Sequence, residues 1–294
     1  MDDVTLPADA ARPTVPSDPT DLADLADLAD LLRFAEDLAR RAGRQVRDAA
    51  LDRSDAVTKS SASDWLTPVD GATEDLIRAE LTAAYPDHAI VGEERPTRGD
   101  TAEAQIVWHV DPIDGTTNYL YGLGNVSVSI GAIDADGPAV GVVHDVYRDQ
   151  TIGAARGLGV RVDGSPAVGA DDGVTSLAGR VLLTEWSGHQ TWPGMDETLG
   201  WVRDQQGTVR ILGSCALSLA HAGLGRSAAT LIAGRYHSWD VAAGVLIATE
   251  GGLELYDTHG PADGLPPHGL LVAPPGVVAD VWTTWRRAAE RAGA

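Results

Sequence analysis

The chain has 294 residues, of which 44% are hydrophobic and 22% are charged, and its formal net charge is −21. This length and balance predict a globular protein with a sizeable buried core. The acidic excess excludes a nucleic-acid polymer as the main partner, because binding a polyanion depends on basic residues that release its counterions.

The single cysteine, Cys215, excludes an intramolecular disulfide and a cysteine-rich zinc site. Its neighbours are small and apolar, so we interpret it as a packed residue and not as a nucleophile. No run reaches the roughly 18 apolar residues of a membrane-spanning helix, and the N-terminus is acidic where a signal peptide is basic. We therefore expect a cytoplasmic protein that has no membrane partner.

The N-terminal half is predicted to begin with helices and continue with strands. Residues 1–20 are rich in Pro, Ala, Asp and Thr and have no periodicity, which predicts a disordered tail. Leucines repeat every three residues from residue 22 onward and predict an amphipathic helix. A second helix is predicted over 71–84, before Pro86, and strands over 106–110, 126–133, 139–147 and 151–162.

The C-terminal half alternates strands with helices. Strands are predicted over 181–185, around 230, over 253–256 and over 270–272, and helices over 195–206, 215–224 and 239–250 and after 276. These blocks indicate an α/β (α+β) protein made of stacked layers of sheet and helix. We place a soft boundary near residue 175, which gives halves of 21–175 and 176–294.

Carboxylates lie beside turn signals in four separate segments of the chain. The segments hold Asp64 and Asp70, Glu93 and Glu94, Asp111 and Asp114, and Asp240. Magnesium prefers oxygen ligands, and two such ions can assist an in-line displacement at phosphorus. Each segment alone is equally well explained as a turn or a helix cap. Their combination indicates a metal site for phosphate chemistry.

The segment from Asp111 to Thr117 is the centre of this prediction. Pro112 restricts the backbone and should force a tight bend where the preceding strand breaks. Such a bend can direct both carboxylates and the Ile113 carbonyl towards one point. Gly115 then allows the backbone to approach a phosphate, and N–H groups near Thr116 and Thr117 can donate to its oxygens.

Four motifs in this order resemble those of the inositol monophosphatase family of magnesium-dependent, lithium-sensitive phosphatases. They are Asp111–Asn118, Trp239–Gly244, Gly92–Glu94, and Lys59-Ser60-Ser61 followed by Asp64, Thr67 and Asp70. The likeness covers roughly residues 22 to 290. It implies the layered α-β-α-β-α sandwich of the inositol monophosphatase and fructose-1,6-bisphosphatase type, commonly as a homodimer.

The resemblance also implies a role for each matching residue. Glu93, Asp111 and the Ile113 carbonyl would hold one Mg²⁺, while Asp111, Asp114 and Asp240 would hold a second. Thr116 paired with Asp70 would activate the attacking water. Glu93, besides holding metal, would also be a catalytic residue. The resemblance implies that manganese can replace magnesium in these sites.

The implied substrate site is less complete. Phosphate would be bound by Asp114, Gly115, Thr116, Thr117 and Asp240, and the rest of the substrate would contact Ser214, Cys215 and Arg235. Lys59 and Asp64 would lie on a mobile lid where a third ion can bind. Inositol-preferring relatives carry a glutamate about seven residues before the last metal-binding aspartate, where this chain has Ala233, or Ile232 if an insertion of one residue is placed later.

Three readings of the function follow from these residues. The first is a phosphatase for a small monoester of the inositol, sugar or cyclitol phosphate class. The second is a phosphatase for histidinol phosphate or a 3′-phosphonucleotide, built on the same metal core. The third reading is a regulatory homologue that binds metal without turnover. A serine-hydrolase reading fails because Gly-x-Ser-x-Gly is absent from the sequence.

Overall fold

A computed structural model of the protein describes residues 22–50, 53–170, 173–186 and 190–293, so the predicted tail of 1–20 lies outside the described residues. The helices are α1 (Leu22–Asp48), α2 (Pro68–Ala84), α3 (Thr116–Tyr121), α4 (Met195–Asp204), α5 (Cys215–Gly223), α6 (Ser238–Glu250) and α7 (Pro275–Arg291). None of these helices is both long enough and apolar enough to span a bilayer.

The strands form three sheets. A two-stranded hairpin contains β1 (Val57–Thr58) and β2 (Trp65–Leu66). Seven strands form the larger sheet in sequential order: β3 (Ala89–Gly92), β4 (Val107–Asp114), β5 (Ser127–Asp134), β6 (Gly137–Asp145), β7 (Gln150–Ala155), β8 (Gly159–Val162) and β9 (Ser165–Pro166). Five strands form the other sheet in the order β11 (Thr208–Ile211), β10 (Val181–Thr184), β12 (Ala229–Ile232), β14 (Leu270–Ala273) and β13 (Glu254–Tyr256).

Alternating side chains show how the layers stack. On β6, Val140 and Val142 pack into the core with α1 and α2, whereas Val143 packs with α5 and α6 on the opposite face. On β14, Leu270 and Val272 face α5 and α6, whereas Leu271 faces α4 and α7. The order of layers is therefore α1/α2, large sheet, α5/α6, small sheet, α4/α7. This is the predicted α-β-α-β-α sandwich.

The middle layer belongs to both sheets, because α5 and α6 bury residues against each of them. The strands of the large sheet end at residue 166 and those of the small sheet begin at residue 181. The boundary near residue 175 remains our proposal, and each half would contribute one sheet.

Candidate active site

The Asp111–Asp114 segment is the last part of a strand, which corrects the prediction that the strand breaks at Pro112. Strand β4 continues to Asp114, and its pairing with β5 shifts from Asp111↔Ser129 to Asp114↔Ser127. From Asp111 to Asp114 the chain advances by three residues on β4, whereas the paired strand β5 advances by two, so β4 contains a β-bulge. The Ile113 N–H donates to Asp111 Oδ1 at 3.0 Å inside the bulge. Both aspartates are buried there.

Gly115 turns the chain from β4 into α3. Its φ of +97° lies in the left-handed region, which favours glycine. A Cβ at this position would lie 2.9 Å from the Asn125 carbonyl oxygen and 3.0 Å from that of Gly213. The turn therefore requires glycine for both its backbone angle and its space. It places Thr116 at the first position of α3, next to the acidic cluster.

Thr116 and Asp70 lie within hydrogen-bond distance, as predicted from their sequence motifs. Thr116 Oγ1 is 3.2 Å from Asp70 Oδ1 and 3.0 Å from the Ile113 carbonyl oxygen, so its proton has two acceptors. Asp70 is fully buried in the first turn of α2, where its Oδ2 accepts from the Thr67 N–H at 2.9 Å. Burial raises the pKa of Asp70 to about 6. A carboxylate with such a pKa is suited to accept a proton near neutral pH.

The β1–β2 hairpin brings Lys59 to the two glutamates that follow β3. Lys59 Nζ lies 2.6 Å from Glu93 Oε1 and 2.9 Å from Glu94 Oε1. Its distance to Asp64 Oδ1 is 3.8 Å, and Asp64 Oδ2 accepts from the Ser60 hydroxyl at 2.6 Å. The candidate lid residues and the candidate metal ligand Glu93 therefore already meet, with an ammonium group between the carboxylates.

Asp114 and Asp240 are each held by a helix N-terminus. Asp114 Oδ2 accepts from the Ser214 hydroxyl and from the Ala216 N–H at 2.7 Å, at the start of α5. Asp240 Oδ2 accepts from the His237 N–H at 2.6 Å, at the start of α6. Burial raises the pKa of Asp114 to about 6 and that of Asp240 to about 8.

Repulsion among these acids identifies them as one cluster. Burial raises the pKa of Asp111 well above its usual range, and the charges of Glu93, Asp114 and Asp240 raise it further. Among the residues that the structure describes, however, no three acidic, histidine or cysteine side chains surround one point closely enough to hold a metal ion as they stand. The set is rich in carboxylate and carbonyl oxygens, which are the donors that a hard divalent cation prefers, and Glu93 is at present paired with Lys59.

The predicted substrate residues are placed less uniformly. Cys215 is half-buried, and burial raises the pKa of its thiol well above the usual range, which agrees with a lining role and not a thiolate nucleophile. Thr117 is exposed, with its hydroxyl 3.5 Å from the Ser63 carbonyl oxygen on the hairpin. Arg235 is exposed in the loop after β12, and Ala233 packs at the edge of the core beside α4 and α7.

Two buried glutamates near the site were not predicted. Glu74 on α2 accepts from the Glu94 N–H at 2.6 Å and fixes the glutamate segment from behind. Glu185, directly after β10, accepts from the Leu212 and Gly213 N–H groups. In both cases the available sequence signal was a glutamate within a run that otherwise has the pattern of a buried helix face or strand end.

Comparison with known proteins agrees with this geometry. Residues 27–292 match the model of the inositol monophosphatase family. Inositol monophosphatase 1 of Solanum lycopersicum is 34% identical over 235 residues, which are 77% of this chain and 84% of the relative. Nus factor SuhB of Pasteurella multocida is 32% identical over 253 residues, or 85% of this chain and 93% of the relative.

Solved structures show the same architecture. The inositol monophosphatase of Thermotoga maritima superimposes with a TM-score of 0.79 at 25% identity, covering 90% of this chain and 100% of the other. Nearly the whole folded part of the chain is covered by this structural match, by the family model and by the two relatives above 30% identity. The protein is therefore a member of the inositol monophosphatase family of phosphatases.

Proposed function

We propose that this phosphatase hydrolyses a small phosphate monoester with the help of magnesium. The observation that carries the proposal is the Thr116–Asp70 pair, which lies within hydrogen-bond reach at the edge of the acidic cluster. Bound magnesium would supply positive charge to polarise the phosphoryl oxygens and to lower the pKa of a water molecule. Its ligands would be Glu93, Asp111 and the Ile113 carbonyl for one ion.

Asp111 would also bind a second ion together with Asp114 and Asp240, and a third ion would bind near Lys59 and Asp64. These sites would accept manganese as well, because their donors are the hard oxygens that both ions prefer. The number of ions, two or three, depends on whether the hairpin releases Glu93 and closes over the site.

Within this site, each residue of the chain has a defined task. Thr116 orients the attacking water and Asp70 accepts its proton, either directly or through the hydroxyl of Thr116. The N–H groups of Gly115 and Thr116 donate to the phosphate oxygens, and Thr117 lies next to them. The leaving alcohol would face the segment of Ser214 and Cys215, with Arg235 at the rim.

We propose a sugar or cyclitol phosphate other than inositol phosphate as the substrate. Ala233 offers no acceptor to the hydroxyls of an inositol ring. A site without such hydrogen-bond acceptors should bind the inositol ring less well. The positive charge of Arg235 would instead favour a substrate with a further anionic group. Histidinol phosphate and a 3′-phosphonucleotide are the alternatives on the same metal core.

A phosphate-release assay tests both parts of the proposal. Magnesium-dependent turnover is expected, which EDTA abolishes and lithium weakens. The panel should compare inositol 1-phosphate, histidinol phosphate, fructose 1,6-bisphosphate and adenosine 3′,5′-bisphosphate. A clear preference for inositol 1-phosphate would contradict the inference from Ala233. No turnover on any monoester would favour the reading as a regulatory metal-binding homologue, a reading that the name of the SuhB relative also raises.

We further propose that the enzyme acts in the cytoplasm as a homodimer, as the family resemblance implies. Light scattering of the purified chain tests the assembly, for which a dimer mass is expected, and a monomer mass at working concentration would contradict it.

A further inference from the structure

The turn at Leu212–Ser214 joins the small sheet to the acidic cluster. It begins where β11 ends and leads into α5, whose cap residue Ser214 donates to Asp114. The Ala216 N–H, two residues after Ser214, donates to the same carboxylate oxygen at 2.7 Å. The position of this turn therefore decides where one carboxylate of the cluster lies.

Glu185 holds the turn from one side. Its Oε1 accepts from the Leu212 N–H at 3.1 Å and from the Ser218 hydroxyl at 2.7 Å, and its Oε2 accepts from the Gly213 N–H at 2.9 Å. The side chain is buried, and among the residues that the structure describes no cation is one of its hydrogen-bond partners. Placing a carboxylate in the interior is costly unless its oxygens are paired, and here three donors pair them.

Asn118 holds the turn from the other side. Its Nδ2 donates to the Leu212 carbonyl oxygen at 2.8 Å and to the Asn125 carbonyl oxygen at 2.9 Å. A Cβ on Gly213 would lie 2.9 Å from that same amide nitrogen, so the turn is also packed closely against Asn118. The peptide units of Leu212 and Gly213 are thus fixed on both faces.

We propose that Glu185 is a positioning residue of the active site, which orients Asp114 through the Leu212–Ser214 turn and α5. It touches neither Asp114 nor the residues expected to contact phosphate, so its effect passes through the Ser214 hydroxyl and the Ala216 N–H. This inference rests on the proposed function for its consequence, since Asp114 matters there as a magnesium ligand. Groups that orient metal ligands typically change metal affinity by about 10- to 100-fold when they are removed.

The test compares Glu185→Gln with Glu250→Gln in the full chain. A glutamine at 185 must direct its NH₂ group at one of the present donors, so at least one hydrogen bond to the turn is lost. Glu250 is the matched control, because its two oxygens accept from the Gly157 and Gly159 N–H groups at 2.8 Å each, at the far end of α6. Both variants lose a hydrogen bond from a backbone N–H to a carboxylate oxygen, but only Glu185→Gln loses it at the Leu212–Ser214 turn.

Two measurements separate positioning from mere support of the fold. The first is hydrogen exchange of the Ala216 amide without metal, which we expect to accelerate in Glu185→Gln although Glu185 does not contact this amide. The second is magnesium binding by calorimetry, for which we expect a dissociation constant about 10-fold higher in Glu185→Gln and unchanged within about 2-fold in Glu250→Gln.

A folded Glu185→Gln protein that matches Glu250→Gln in both measurements would overturn the proposal. If Glu185→Gln does not fold, the exchange measurement is made on Ser218→Ala instead. This variant removes the hydrogen bond from the Ser218 hydroxyl to Glu185 and no bond to the turn itself. A faster Ala216 exchange in that variant supports positioning, and an unchanged exchange overturns it. Wild-type protein that binds no magnesium would refute the proposed function, whereas the exchange measurement would still decide the role of Glu185.

Discussion

Asp111 illustrates the conflict between stability and function at the residue scale. It is buried, 2% exposed, and repelled by the charges of Glu93, Asp114 and Asp240. Without a cation, such crowding of like charges opposes folding. The same crowding would attract a divalent ion, as the proposed function requires. A site of this kind is expected to cost stability in the metal-free protein.

Asp111→Asn should therefore move stability and activity in opposite directions. Asparagine keeps an oxygen that can accept from the Ile113 N–H but removes one negative charge and one bridging ligand. We expect kcat with magnesium to fall by at least about 100-fold, and the thermal unfolding midpoint in EDTA to rise. Asp280→Asn, which makes the same change at an exposed position on α7, should alter neither. An Asp111→Asn enzyme with near wild-type turnover would show that the metal ligands are misassigned.

Individual residues of the site were predictable because their motifs carry local signals. Thr67, Pro68 and Asp70 form a capping box with proline in the first turn, so α2 begins at Pro68 and not at the predicted residue 71. This capping pattern is a local signal that a helix start positions Asp70. Glu185 lacks a capping motif of this kind, since its partners Leu212, Gly213 and Ser218 are distant in sequence, in the turn after β11 and on α5. Only the parallel pairing of β10 with β11 brings them together.

At the scale of elements, the errors concern edges and ends. Strand β11 was not predicted because it lies at the edge of the small sheet, where exposed Thr208 and Arg210 interrupt any apolar pattern. Strand β4 extends through Pro112 because a bulge relieves the missing N–H. Helix α3 is only six residues long, too short for a periodic pattern.

The close approach of α6 to the large sheet is the element contact that the site depends on most. Gly131 and Gly141 on β5 and β6 face this helix, and a Cβ on Gly141 would overlap the Ala243 carbonyl oxygen. A Cβ on Gly131 would lie 2.9 Å from that of Ala242. The two glycines therefore let α6 pack against the sheet, and its first turn then brings Asp240 to the cluster.

Gly141→Ala should push α6 away from the sheet. Overpacking of this kind costs about 1–3 kcal/mol of unfolding free energy, and the displacement of Asp240 should weaken magnesium binding as well. Urea denaturation and calorimetry measure the two effects. The control is Gly200→Ala in α4, where an added Cβ meets nothing within 4 Å and should be neutral or stabilising by up to about 1 kcal/mol. Equal behaviour of the two variants would argue against this packing role.

For the whole molecule, the layered architecture was predictable from the blocks of helices and strands, but the order of the layers was not. Periodicity identifies a strand or an amphipathic helix without saying which partner covers it. Helices α5 and α6 are apolar on most sides because they are covered by both sheets, and that burial appears only once the sheets are placed.

The interior of this sandwich also holds buried histidines, which couple its stability to pH. Burial lowers the pKa of His144 on β6 and of His221 on α5 to about 4. The nearby guanidinium of Arg226, 3.1 Å from His221 Nδ1, lowers the pKa of His221 further. In the unfolded chain a histidine titrates near 6.5. Below that pH these two histidines bind protons in the unfolded state and not in the folded state, so their protonation favours unfolding.

The contribution of these two histidines to the free energy of unfolding should therefore fall as pH drops from about 6.5 to about 4, with no change above that window. The buried acids Asp70, Asp114 and Asp240, whose pKa values are raised, contribute with the opposite sign as the pH falls, so the histidine contribution is measured as a difference between variants. The expected loss at pH 5 is about 2 kcal/mol for each histidine. His221→Gln keeps an acceptor for Arg226 but cannot be protonated, so the loss of about 2 kcal/mol that His221 contributes between pH 7.5 and pH 5 should be absent when its urea stability is compared with that of wild type. His259→Gln, at a side chain that is 86% exposed, should follow the wild-type profile. If His221→Gln shows the full wild-type loss, His221 is not one of the groups whose protonation destabilises the folded molecule in acid.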